Sequence, residues 1–153
     1  MVIKMNLYLR KAVLEDCDLL FNWANDKIVR QNSFNQKGIL YENHVKWFNK
    51  MMNFDRCSIF ILCSKNVSLG QVRIEIENKT AVISYSIDKK YRGKHLAIEM
   101  LNLLEKNVGN SKVDVNKLVG YVKLDNYISQ RVFEKLKYNA KIHDNFYEYY
   151  KLL

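Results

Sequence analysis

The stretch Val82-Ile-Ser-Tyr-Ser-Ile-Asp-Lys-Lys-Tyr-Arg-Gly-Lys-His-Leu-Ala97 decides how the rest of the chain is read. Its first half alternates: Ala81, Ile83, Tyr85 and Ile87 against Val82, Ser84, Ser86 and Asp88, the period of two of a pleated strand. It then turns through Lys-Lys-Tyr-Arg-Gly-Lys and enters a helix with Leu96, Met100, Leu101, Leu104 and Val108 on one stripe. A strand, a basic glycine-containing turn and a helix together make a place for an anion. The first helical amides lack internal partners, and the helix dipole adds partial positive charge there. Arg92 and Lys94 bring full charges to the same corner.

Working outward, Leu7–Val13 reads as a first strand and Leu14–Asn25 as a helix with Glu15, Asp16 and Asp18 at its start. Residues 31–40 have loop composition, and Tyr41–Asn53 forms a second helix with His44, Trp47, Phe48 and Met51 on one face. Ser58–Cys63 is apolar on both faces, as in a central strand. Gln71–Glu77 alternates, with Val72, Ile74 and Ile76 turned inward, and Asn78-Lys-Thr80 is a hairpin turn. Beyond the long helix come a strand at Lys117–Lys123, a helix at Asp125–Leu136 capped by Asp125 or Asn126, and a terminal strand at Phe146–Leu153. The order β-α-α-β-β-β-α-β-α-β-β predicts one α/β (α+β) domain on a mixed sheet spanning residues 1–153.

Composition narrows the function. A 153-residue chain with 48% hydrophobic residues builds one packed core. The formal net charge of +9 calls for an anionic partner, but the basic residues are spread along the chain, which counts against nucleic acid. Cys17, Cys57 and Cys63 form no C-x-x-C pair, so neither a disulfide framework nor a metal site is expected. No apolar run reaches membrane-spanning length and no leader pattern opens the chain, so a cytoplasmic protein is expected. The aromatic terminal strand is a candidate edge for pairing two copies.

Arg92-Gly-Lys-His-Leu-Ala97 resembles the acetyl-CoA pyrophosphate loop of the GNAT N-acetyltransferases, usually Arg/Gln-x-x-Gly-x-Gly/Ala, with His95 in the place of the inner glycine. Asn126-Tyr-Ile-Ser129 with Phe133, Leu136 and Tyr138 resembles the family's Asn-x-x-Ser/Ala…Tyr…Leu-Gly-Phe region, with Phe133 in the place of the tyrosine. The resemblance implies the GNAT fold and acetyl-CoA as cosubstrate. It implies that Tyr85 and Ile87 border the pantetheine arm, that Gly93, Lys94, His95, Leu96 and Ala97 with Arg92 take the pyrophosphate, and that Asn126 and Ser129 touch the rest of coenzyme A.

Acetyl transfer also needs a neutral amine and a protonated leaving group. Glu75 or Glu77 on the neighbouring strand, or His44, is a candidate base; Tyr121, Tyr127 or Tyr138 is a candidate acid, or the thiolate leaves unassisted; Glu75 and Tyr127 are the residues expected to be catalytic. Trp23-Ala-Asn-Asp…Val-Arg30 and His44-Val-Lys-Trp47-Phe48 are similar to the branch acting on nucleotide-linked amino sugars in nonulosonic acid synthesis, and less completely to ribosomal-protein N-terminal acetyltransferases. That similarity implies Arg30, His44 and Arg73 as substrate contacts and a UDP-linked amino-deoxy sugar as acceptor. An N-terminal or other amine acetyltransferase, or a non-catalytic CoA-binding module, stands as the alternative.

Overall fold

The computed structural model describes residues 6–153. Seven strands form one sheet: β1 (Leu7–Lys11), β2 (Cys57–Ser64), β3 (Val67–Glu77), β4 (Thr80–Ile87), β5 (Lys117–Lys123), β6 (Asn139–Ile142) and β7 (Phe146–Leu152). Their spatial order is β1-β2-β3-β4-β5-β7-β6. Every neighbouring pair is antiparallel except β4 and β5, which run parallel. The helices are α1 (Cys17–Ala24), α2 (Lys27–Asn32), α3 (Tyr41–Met52), α4 (Leu96–Gly109) and α5 (Tyr127–Lys135).

Strand alternation divides the core between two faces. On one, Phe60, Leu62, Val72, Ile74, Ala81, Ile83 and Ile87 pack against Leu96, Met100, Leu101 and Leu104 of α4 and Val132 and Phe133 of α5. On the other, Ile59, Ile61 and Cys63 pack against Leu20 and Trp23 of α1 and Phe48 of α3. The Ile59–Cys63 run of β2 is apolar because helices cover both its faces. The tight β3–β4 hairpin holds Asn78 and Lys79 at φ +49° and +65°, the left-handed pair that matches strand twist.

Two expectations are corrected. The segment after Ala24 contains a further short helix, α2, because Asp26 leaves the helical conformation at ψ 137° and its carboxylate then accepts from the amides of Ile28 and Val29. The terminal strand β7 is not an edge: it lies between β5 and β6, and the hairpin partner β6 takes the outer position.

The crossing from β1 to α1 is held by a salt bridge. Arg10 donates to both carboxylate oxygens of Asp16 at 2.7 and 2.8 Å, and the Val13 amide adds a third donor. The Arg10 hydrogen bond, opposed by burial and aided by the Val13 amide, holds the Asp16 carboxyl below the usual range. A carboxyl depressed in the folded state binds fewer protons there than in the unfolded chain. Its contribution is therefore complete above the ordinary carboxylate range and is lost as pH falls through the folded value. We expect Asp16→Asn to cost about 2 kcal/mol at neutral pH, a loss that fades on acidification, checked by urea unfolding from pH 7 to pH 3.

Candidate active site

The pairing of β4 with β5 stops early. Thr80–Ile83 align with Lys117–Gly120, and beyond Ile83 and Gly120 the two strands part. β4 continues to Ile87 against β3 alone, and β5 continues to Lys123 against β7 alone. The wedge at the fork is Phe133, stacked 5.2 Å from Tyr149 and set edge-on to Tyr85 at 6.2 Å. It sits so close over Gly120 that a Cβ there would lie 2.3 Å from its ring. A cavity of about 850 Å³ fills the opening.

The strand phase decides which main-chain groups face it. Ser86 pairs with Gln71, and the Asp88 amide donates to the Leu69 carbonyl, so these residues point their main chain at β3. By alternation, Tyr85 and Ile87 point theirs into the opening, where no strand receives them.

Below β4 the chain makes one 3₁₀ turn, Lys89–Tyr91, capped by Asp88. Asp88 also accepts from the Trp23 indole at 2.8 Å, which ties the turn to α1. Arg92 donates from Nε to the Ile87 carbonyl at 3.1 Å and from Nη2 to Asp26 at 2.7 Å. It braces the loop against the start of α2. Gly93 and His95 then adopt left-handed conformations, φ +81° and +59°. The first helical bond of α4 runs from the Glu99 amide to the His95 carbonyl, so the amides of Leu96, Ala97 and Ile98 have no helical acceptor. With the α4 dipole behind them they form an anion cradle.

Across the opening, Asn126 caps α5 by accepting from the Ser129 amide at 3.3 Å. The Ser129 hydroxyl meets the Tyr85 hydroxyl at 2.6 Å. The other face of the sheet carries a polar row: Gln71 donates to Ser86 at 3.2 Å, and the Arg73 guanidinium lies over the Trp47 ring at 4.9 Å.

Of the residues singled out in the sequence, Tyr85, Ile87, Gly93, His95, Leu96, Ala97, Asn126, Ser129, Arg92, Arg73 and Tyr121 line this cavity, as do Arg30 and His44, whose polar groups are bonded within the fold. Others are placed differently. Tyr127 is 64% exposed and lies outside the cavity wall, because the first residue of α5 faces solvent. Glu75 turns toward Arg73, at 3.4 Å, and also lies outside the wall. His44, 3% exposed, hydrogen-bonds the Cys17 carbonyl at 2.9 Å and stacks on Phe48, joining α1 to α3. Arg30 spends its donors on Ala24, Ser33, Asn35 and Lys37, so it shapes its own loop. Lys94 is exposed, its ammonium 5.7 Å from the Tyr91 ring, outside the wall. Sequence reading missed the Asp26–Arg92 and Trp23–Asp88 bonds, because partners so far apart in the chain leave no local signal.

Residues 6–139 match the family model for the acetyltransferase (GNAT) domain, and the chain belongs to that family. It is an N-acetyltransferase by fold and family. A domain from Methanocaldococcus jannaschii is similar, with 21% identity over 98% of this chain and 100% of that one and a TM-score of 0.84. Spermidine N-acetyltransferase from Vibrio cholerae, solved with CoA and spermine, has 16% identity, 95% coverage of both chains and a TM-score of 0.85. A ribosomal L7/L12 α-N-protein acetyltransferase solved with coenzyme A has 18% identity over 100% of this chain and 97% of that one, with a TM-score of 0.84. Curated sequences yield no match.

Two substitutions test the site. Gly120→Ala would drive a methyl into Phe133, and we expect a loss of about 2 kcal/mol together with weaker coenzyme A binding, measured by thermal unfolding and calorimetry. At His95, a glycine keeps the left-handed turn without strain whereas a β-branched residue resists it. We expect His95→Gly to bind coenzyme A at least as tightly as the parent, and His95→Val to bind it about tenfold more weakly.

Proposed function

We propose that this chain transfers acetyl from acetyl-CoA to the amine of an anionic acceptor, a UDP-linked amino-deoxy sugar. The observation that carries this reading is the charge of the cavity wall. Its ionised lining side chains are Arg30, Arg73, Arg92, Arg131 and Lys135, and no Asp or Glu lines it among the described residues. A polyamine acceptor would bring several positive charges into a cationic wall, at a Coulomb cost that burial enlarges. An acceptor bearing a diphosphate is attracted instead.

The residues fit acetyl-CoA as donor. The free amides of Leu96–Ile98 suit its pyrophosphate, and the main chain of Tyr85 with the amide of Ile87, whose carbonyl Arg92 holds, suits the amides of its pantetheine arm as an added strand would. This leaves the α1–α3 side for the acceptor. There Arg73, held flat by Trp47 and 3.4 Å from Ser84, is the best-placed donor for a phosphate. Glu75 backs Arg73 and orients it rather than meeting the amine itself.

Coenzyme A release with a panel of amines tests the proposal: a UDP-linked 4-amino-4-deoxy sugar, spermidine and a ribosomal-protein N-terminal peptide. We expect the UDP-sugar to be preferred at least tenfold in kcat/KM and UDP to inhibit. Arg73→Gln should raise KM for the sugar about tenfold with kcat little changed. Preference for spermidine overturns the charge argument; preference for the peptide selects the N-terminal acetyltransferase reading.

A further inference from the structure

The fork between β4 and β5 is crossed by one hydroxyl pair. Tyr85 enters from β4 and Ser129 from the first turn of α5, and their oxygens lie 2.6 Å apart. Both side chains line the cavity. The Tyr85 ring rests edge-on against Phe133, which closes the fork. Phe133 itself has no proton to give, Tyr127 lies outside the wall, and Tyr121 and Tyr91, which do line it, stand elsewhere: Tyr121 is exposed and packs edge-on to Phe146, and Tyr91 sits in the loop before α4. Tyr138, the remaining buried tyrosine of α5's C-terminal side, has its hydroxyl unpartnered and also outside the cavity.

We propose that the Tyr85 hydroxyl is the group that protonates the departing coenzyme A sulfur, with Ser129 as its proton relay. The balance is as follows. The neutral amine attacks the thioester carbonyl, forming the C–N bond and an alkoxide, and the new ammonium releases one proton to water. The alkoxide re-forms the carbonyl, the C–S bond breaks and its electron pair goes to sulfur. Sulfur takes the phenolic proton of Tyr85. Tyr85 recovers a proton from the Ser129 hydroxyl, which is refilled from solvent. One proton leaves the amine and one arrives on the thiol.

Burial, partly opposed by the Ser129 hydrogen bond, pushes the Tyr85 phenol up to about 12, so the proton is in place throughout the working pH range. A thiolate whose reference value is about 8.5 is a weaker base than this phenolate. Transfer is therefore uphill as an equilibrium and is drawn forward as the phenolate is reprotonated through Ser129; Arg30, Arg73, Arg92, Arg131 and Lys135 are the charged groups of the same cavity wall. All are cationic, and the other titratable side chains of the lining besides Tyr85 are His44, Tyr91, His95 and Tyr121.

This inference rests on acetyl transfer and not on which amine is used. Its closing experiment therefore includes a measurement without an acceptor. Tyr85→Phe removes the hydroxyl and keeps the ring. In the variant, the thiol of bound coenzyme A, followed by its ultraviolet thiolate absorbance, should titrate at higher pH than in the parent, since a donor to the thiolate has been lost. With the fastest amine of the panel, kcat should fall about 10²-fold with KM within about twofold. Ser129→Ala should give the same changes at smaller size, and it serves alone if Tyr85→Phe does not fold. An unchanged thiol titration in the folded variants overturns the proposal, whatever the acceptor. So does a loss in which KM and melting temperature move while kcat and the titration do not.

Discussion

The parting of β4 from β5 is the constraint on which this molecule depends. A parallel pair that stayed in register would satisfy its own main chain and leave nothing to offer. Here the pairing ends at Ile83 and Gly120, and the groups released line a cavity between two still well-supported strands. β3 holds one arm of the fork and β7 the other, so each arm keeps a paired neighbour along its length. Unpaired main chain is costly when buried. It persists because Phe133, packed in an aromatic group with Tyr149, Tyr138 and Tyr85, fills the crotch and keeps the strands apart.

A second device positions the anion cradle. The α4 amides are useful only if the loop delivers them to the mouth of the fork. Arg92 performs that task from outside, by binding the Ile87 carbonyl and Asp26 together. Asp26 has meanwhile capped α2, and Asp88 has joined the loop to Trp23 of α1. The cradle is thus clamped to the helices on the opposite face of the sheet. Arg92 thus lines the cavity and braces it at once, beside the free amides that open α4.

Fold and cavity alone do not select an acceptor. Proteins similar in fold include one solved with spermine and one that modifies a ribosomal protein. The proposed acceptor rests on the sign of the charge around the opening, together with an arginine lying over Trp47. A net charge of +9 spread along the sequence says little about where it acts; the sheet gathers part of it onto one wall.

Strand and helix periods, the strand–loop–helix of residues 82–97 and the cap at Asn126 were legible in the linear chain because each depends on residues a few positions apart. The same local signals located the free amides at the start of α4 and the strand whose residues line the cavity. Nothing local marks where two parallel strands separate, for that follows from the volume of Phe133 against Gly120. Nor does it show that His44 and Arg30 are consumed by neighbouring carbonyls while Arg73 is not. A polar side chain carries one chemistry in the sequence; whether that chemistry is free for a ligand depends on which partners folding brings within 3 Å.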